Sequence, residues 1–415
     1  MAIKHCSQTF SLVHATHPCT ELVLDENKIR GYLEKAGWTE IFDVAAADLV
    51  VIATCAFNQD YEEDAVRAIE HTSKTAKTGA RIIVAGCFSK INRERFASVC
   101  SFETLPPREM DKLEKLVPSS VALGSIKAHT VDIGQYETNR IFMTGINLKK
   151  IFRYLPFIKS PAWLDTVPMT DWYFVRGAVG CLAQCSYCAI RYARGSVQST
   201  PIDQIVSQIE EALAKGYREI SIAGDDMGCY GIDIGTDLPT LLSEIHKLKG
   251  NFDLNLRFIE PRYLIEYFDR LVPIFSSGRI STFCSPIQSG SPRILRAMNK
   301  DYDIDEAVKA INGLLRLTKL RSISSNIMIG FPGEELDDWV KSYRLLKDCD
   351  INMYQVLKYQ DRPGTPSQTM ENKVPEEIKE LRRKRFVTKM QVLKFVGLPE
   401  PVAERWTRLR HGPLV

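Results

Sequence analysis

The chain has 415 residues, 45% of them hydrophobic, and its 54 basic and 51 acidic side chains leave a net charge of +3. That length can bury more than one core and predicts two or three domains. So even a balance excludes a chain built around one strong field for nucleic acid, and no apolar run reaches the length of a membrane span. The N-terminus lacks the apolar core of a signal peptide, so the expectation is a soluble, cytoplasmic protein without membrane contact. In such a compartment its 11 cysteines are expected as metal ligands or catalytic groups rather than disulfides.

Residues 1–120 alternate strand and helix. Thr9–Ala15 is short and apolar, Asp25–Ala36 has helical spacing through Ile29, Leu33 and Ala36, and Asp48–Ala53 reads as a parallel-sheet strand. A helix from about Asp60 to Lys77 and a strand at Arg81–Ala85 follow. This βαβαβ order predicts an α/β fold with an open doubly wound parallel sheet, whose ligands sit at the carboxyl ends of the strands. Residues 121–170, punctuated by Pro156, Pro161 and Pro168, are expected as a linker.

Over residues 171–370 the alternation resumes. Strands are predicted at Trp172–Arg176, Glu219–Ala223, Asp253–Phe258, Ile280–Cys284, Ser322–Ile329 and Met353–Tyr359. Asp203–Lys215, Asp237–Leu248, Asp305–Leu317 and Leu336–Lys347 are predicted helices between them. Right-handed crossovers then give a partial (β/α)6 barrel, with its chemistry at the carboxyl ends of the strands. Residues 371–415 are expected as a C-terminal helix and a short tail. That helix, Pro375–Phe395, carries Lys379, Arg382, Arg383, Lys384 and Arg385, expected as a solvated face, with a binding patch as the alternative.

Six cysteines fall into two groups of three. Cys181, Cys185 and Cys188 form a tight C-x3-C-x2-C after the first barrel strand. Cys19, Cys55 and Cys87 lie far apart, each after a predicted strand of the N-terminal sheet, and should converge on one sheet edge. Three thiolates can hold a four-iron cluster and leave one iron open. Zinc usually takes four ligands, and the tight triad has no His between His129 and His246 and no fourth Cys nearer than Cys229. An iron–sulfur cluster is therefore the expected occupant.

On these motifs the chain resembles the radical S-adenosylmethionine enzymes, and within them the methylthiotransferases, from about residue 9 to 391. The resemblance implies that Cys181, Cys185 and Cys188 hold a 4Fe–4S cluster whose open iron binds S-adenosylmethionine. Reductive cleavage of that ligand would give methionine and a 5′-deoxyadenosyl radical. Cys19 with Asp25, Thr54-Cys55 and Gly86-Cys87 look like the subfamily's ligand motifs for an auxiliary 4Fe–4S cluster. Tyr187 stands at the aromatic position implied to pack near adenine, and Arg194 matches a downstream Arg-Gly. Gly224, Asp225 and Asp226, Gln288 and Ser289, Asn326 and Gly330 are implied to surround S-adenosylmethionine or to support its loops. A reductase such as flavodoxin or ferredoxin is the implied electron donor.

The chain also departs from the family pattern. Ala53 and Leu22 stand where Asn is usual, Arg191 replaces a Pro, Thr200 an Arg, and Cys229 and Cys284 replace other residue types at predicted strand ends. Only 24 residues follow Gln391, too few for the family's C-terminal TRAM RNA-binding domain. That weakens tRNA as the acceptor. The expectation is a methylthio group inserted at an unactivated C–H of a peptide or protein side chain, with tRNA adenosine as the alternative. A two-cluster iron–sulfur protein with another radical or electron-transfer role is the third reading.

Overall fold

The computed structural model describes residues 8–15, 19–127 and 172–412. Residues 128–171, which include Pro156, Pro161 and Pro168 of the expected linker, lie outside them. The described residues form two compact units. One comprises the chain up to Lys127 together with Phe174–Arg176 and Ala189–Ser196; the other takes Gly177–Cys188 and the chain from Val197 onward.

The first unit contains a five-stranded sheet of β1 (Thr9–His14), β2 (Thr39–Glu40), β3 (Leu49–Thr54), β4 (Arg81–Gly86) and β5 (Glu103–Leu105) in the order β2-β1-β3-β4-β5. Every pairing is parallel. The central β3 is an unbroken apolar run buried along its whole length, as a strand covered on both faces must be. Its residues alternate between two cores: Leu49 and Val51 pack with Phe10, Ile29, Tyr32 and Ile83, while Val50 and Ile52 pack with Ala65, Ile69, Val84 and Phe88. The helix Gln59–Thr75 starts where Asn58 Oδ1 accepts the Tyr61 amide at 2.8 Å. The helix Thr20–Lys35 begins five residues earlier than its apolar spacing predicts, with Cys19 as its N-cap.

The second sheet runs β13-β12-β11-β10-β9-β6, with β6 at Trp172–Arg176, β9 at Glu219–Ala223, β10 at Asp253–Leu256, β11 at Ile280–Cys284, β12 at Ser322–Ile329 and β13 at Met353–Lys358. β7 (Ala178–Val179) and β8 (Gln198–Ser199) form a small antiparallel pair beside it. The pairings from β9 to β13 are parallel, and helices at Ile202–Ala214, Leu238–His246, Ile304–Leu317 and Leu336–Asp348 connect strands. Sequential order without closure makes this the partial six-stranded barrel the alternation predicts. β10 stops two residues short of its predicted end because Phe258 turns to φ 44.

The C-terminal segment differs from its sequence reading. The helix Glu376–Met390 passes through a π-turn at Gln391–Val396 into a second helix, Glu400–His411, where a tail was expected. Nor is the basic run a solvated face throughout. Arg382 is buried against Glu334 at 2.8 Å, and Arg385 is buried 3.8 Å from Glu404. Among the described residues no helix is long and apolar enough to cross a membrane.

Candidate active site

In the first unit the three dispersed cysteines meet at one sheet edge. Cys19 follows β1, Cys55 follows β3 and Cys87 follows β4. In the 2-1-3-4-5 order the connections reverse direction between β1 and β3, the position at which such sheets bind ligands. The Cys55 thiol is pushed well up by its hydrogen bond with Cys19, by burial, and by the nearness of Cys19 and Cys87. Leu22, Ala53 and Tyr61 wall it with apolar surface.

Gly86 permits this convergence. Its φ is +99°, and a Cβ there would stand 2.1 Å from the Thr54 carbonyl oxygen. The Cys87 amide donates to that same oxygen at 3.1 Å, so Cys55 and Cys87 leave adjacent strands side by side. Cys55 and Cys87 are buried and Cys19 is exposed beside them; three neighbouring thiols cannot all ionise unless a cation joins them, which is the condition a metal cluster meets.

Asp25, one turn into the following helix, is committed to charge pairing. Its Oδ1 accepts from Arg176 Nη1 at 2.6 Å, and its Oδ2 lies 3.6 Å from Arg194 Nη2. Glu21 Oε2 completes a largely buried quartet, 3.5 Å from Arg176 Nε and 3.6 Å from Arg194 Nη1. Arg194, expected beside S-adenosylmethionine, thus has its guanidinium on two carboxylates of the first unit.

In the second unit the loop Gly177–Cys188 carries the tight triad. Gly180, at φ 86°, donates its amide to Asp225 Oδ2 at 2.7 Å. Asp225 therefore acts on the loop backbone. Ser186 is tied twice to the end of the helix Pro292–Ala297, through its amide to Met298 O at 2.9 Å and its hydroxyl to Ala297 O at 2.8 Å. Asn299 Nδ2 donates to Gln184 O at 2.8 Å, and the Ser367 amide to Ser186 O at 2.9 Å. These bonds fix the loop before any cofactor arrives.

The expected cofactor residues divide by what they touch. Tyr187 is packed with Ile294, Met298, Phe331 and Tyr359, its ring edge-on to Phe331 at 6.5 Å. Gln288, at φ 71°, bridges to β12: its amide donates to Asn326 O and its carbonyl accepts from Met328, both at 2.8 Å. The Ser289 hydroxyl lies 3.2 Å from that of Ser342. Asn326 Oδ1 faces the Cys284 thiol at 4.0 Å. Gly330 donates its amide to Glu334 Oε2 at 2.9 Å, and a Cβ on it would meet the Lys379 side chain at 2.3 Å. A Cβ on Gly224 would lie 2.7 Å from Met227 Sδ. Both glycines and Ser289 accordingly shape turns.

Two residues escaped the sequence reading. Lys300 Nζ donates to Glu260 Oε1 at 3.0 Å, and both are buried. Burial alone would pull the Lys300 ammonium down; Tyr187, Cys185 and Glu260 outweigh it and keep the amine charged. Burial pushes the Cys185 thiol up while Lys300 opposes the rise. Asp226, fully enclosed, is raised to about 6 by burial and by Glu260. The available signals were Glu260 at the end of a barrel strand and Lys300 two residues after Met298; neither fixes a side-chain direction. Three loop cysteines beside a buried lysine–carboxylate pair suit an iron–sulfur cluster with an amino-acid ligand.

Comparison with known proteins agrees. Residues 175–346 match the radical SAM superfamily model, and residues 12–103 match uncharacterized protein family UPF0004. The probable threonylcarbamoyladenosine tRNA methylthiotransferase of Archaeoglobus fulgidus is 29% identical over 390 residues, covering 92% of this chain and 85% of that protein. The human threonylcarbamoyladenosine tRNA methylthiotransferase is 27% identical over 372 residues, 89% of this chain and 60% of that one. Among solved structures, the radical S-adenosylmethionine methyltransferase TsrM from Kitasatospora setae, with cobalamin and a 4Fe–4S cluster bound, has a TM-score of 0.58 at 14% identity, covering 87% of this chain and 74% of that one, a likeness of fold.

Matched domain and barrel together define an enzyme of the radical S-adenosylmethionine superfamily. S-adenosylmethionine and a 4Fe–4S cluster come with that fold. Within the superfamily, the N-terminal match and the relatives place the chain in the methylthiotransferase family.

Proposed function

We propose that the protein is a tRNA methylthiotransferase acting on an adenosine that bears a threonylcarbamoyl group. Supporting this substrate is the name shared by the archaeal and human relatives, whose alignments span both units. The expectation of a peptide or protein acceptor finds no support among them. Of the basic helix, Arg382 and Arg385 point into the fold, which leaves the half-buried Arg383 and the exposed Lys384 as its solvent-facing cations.

We further infer that Cys19, Cys55 and Cys87 hold a second 4Fe–4S cluster, an inference carried by the convergence of three thiols at the sheet edge. When bound, the two clusters and S-adenosylmethionine supply the radical, the sulfur and the methyl group. The protein's own part is positional. Asp225 fixes the triad loop through Gly180, Lys300 and Glu260 set the charge beside Cys185, and Tyr187 offers a ring edge in an apolar wall. Asp226 sets its carboxylate beside the loop, its Oδ2 facing Cys181 Sγ at 3.8 Å. Reduction falls to a flavodoxin- or ferredoxin-type donor.

The test is an anaerobic reaction of the iron- and sulfide-reconstituted enzyme, dithionite and S-adenosylmethionine with tRNA that carries threonylcarbamoyladenosine. Nucleoside mass spectrometry should show hydrogen replaced by a methylthio group on that nucleoside. Release of 5′-deoxyadenosine with no modified nucleoside would sink the tRNA assignment.

A further inference from the structure

Cys229 stands where the family pattern has another residue type, and nothing above uses it. It ends the short turn Met227–Cys229 after β9 and is fully buried. Its Sγ, the Sγ of Cys181 and a carboxylate oxygen of Asp226 all lie within 4.8 Å of one another. Cys229 lies far from the triad in sequence; the turn after β9 brings it beside Cys181.

The ligand atoms are held by backbone. Asp226 Oδ1 accepts from the Gly228 amide at 2.9 Å and the Glu260 amide at 3.1 Å, and its Oδ2 faces Cys181 Sγ at 3.8 Å. Cys181 Sγ accepts from the Ala183 amide at 3.2 Å, and Cys229 Sγ lies 3.2 Å from the Asp226 carbonyl oxygen. The amides that donate to Asp226 and Cys181 are outer bonds of the kind that orient ligands in built metal sites, whereas the Cys229 thiol gives up its bond to the carbonyl when it becomes a thiolate.

Two soft sulfurs and one carboxylate oxygen define the guest. A tetrahedral ion with metal–sulfur bonds of about 2.3 Å needs its sulfurs about 3.8 Å apart, a spacing the observed limit admits. A four-iron cluster instead places each thiolate on its own iron and has no use for Asp226 and Cys229 on the same atom as Cys181. Cys181 is only partly buried, so one side stays open to water as a fourth ligand.

We propose that, in the cluster-free protein, Cys181, Cys229 and Asp226 bind a single thiophilic divalent cation of the zinc class. Binding releases the two thiol protons to solvent and leaves the carboxylate ionised, so charge balances without any redox partner. Because Cys181 is shared, this ion and the barrel cluster exclude one another, a consequence that rests on the assignment of Cys181 to the cluster.

The test is titration of the full-length, reduced, iron-free chain with cobalt(II), followed by the thiolate-to-cobalt charge-transfer band. Cys229→Ala and Asp226→Asn should each weaken one binding event by roughly 10–100-fold or more. Cys188→Ala should leave that event intact, and circular dichroism and thermal melting like those of wild type in all three report that they are folded. Wild-type binding in both Cys229→Ala and Asp226→Asn overturns the proposal, as does its loss in Cys188→Ala. Iron and sulfide added to cobalt-loaded protein should release one cobalt as iron is taken up. Retention of cobalt beside a full iron complement overturns the exclusion. Equal iron in wild type and Cys188→Ala would instead refute the cluster assignment and leave the cation site standing.

Discussion

The carboxylate of Asp25 and the guanidinium of Arg176 meet at 2.6 Å although 151 residues separate them in sequence. Asp25 is buried and Arg176 half-buried, and Glu21 and Arg194 extend the pair to a balanced quartet. Asp25→Asn leaves two guanidiniums on one carboxylate. Removing one member of a buried ion set typically costs about 3–5 kcal/mol, so the denaturant midpoint of Asp25→Asn should fall well below that of wild type. Pairing it with Arg176→Met should recover part of the loss, and a double variant no better than the single would show that the charges act independently.

Each cysteine triad should fail differently. Replacing Cys181, Cys185 or Cys188 by Ala should abolish formation of 5′-deoxyadenosine. Replacing Cys19, Cys55 or Cys87 should spare that cleavage, abolish thiolated product and remove roughly half of the bound iron. Product from a Cys55→Ala enzyme at the wild-type rate would end the two-cluster reading.

Gly86→Ala tests the first unit's pocket without touching a ligand. The Cβ would run into the Thr54 carbonyl at 2.1 Å, and the neighbour is backbone that cannot swing aside. A strained left-handed alanine costs on the order of 1–3 kcal/mol. Iron content should fall toward that of Cys87→Ala while 5′-deoxyadenosine release persists; unchanged iron would show that Cys55 and Cys87 tolerate separation.

Glu334 gives a pH signature. It pairs with Arg382 at 2.8 Å, yet burial outweighs the Gly330 amide and Arg382 and raises its pKa from 4.5 to about 7. A carboxyl raised on folding binds its proton more tightly in the folded state. Its contribution is therefore complete below about 4.5 and is lost as pH climbs through about 7. Wild-type stability should decline relative to Glu334→Gln across that window. Arg382→Met should be more damaging at pH values above the window, about 3–5 kcal/mol, than below it, where Glu334 is neutral. Parallel stability–pH curves for wild type and Glu334→Gln would contradict this.

Much of the frame was legible in the sequence. The apolar runs Asp48–Ala53 and Arg81–Ala85 announce parallel strands, and strand ends in such sheets share one edge, so Cys55 and Cys87 could be placed together before any coordinates. What stayed hidden is contact between side chains of separate strands. Cys229 approaches Cys181 only because the turn after β9 lies against the triad loop, and Lys300 meets Glu260 across 40 residues. The basic helix misled for a related reason. Arg382 and Arg385 are three apart and share the inner face, while Lys384 looks outward, and a run of like charges does not reveal which face has carboxylates opposite it.

The first unit is built from stretches of chain that are far apart: its sheet, then Phe174–Arg176, then Ala189–Ser196. A ribosome delivers Cys19, Cys55 and Cys87 long before Arg176 and Arg194 emerge. In the nascent chain, Glu21 and Asp25 must wait for their counter-charges, and the pocket beside them waits with them. Assembly of this unit is thus ordered in time: its two carboxylates gain their counter-charges only after the triad segment has been made. A fragment ending at Lys127 lacks the two arginines and is an incomplete copy of the domain.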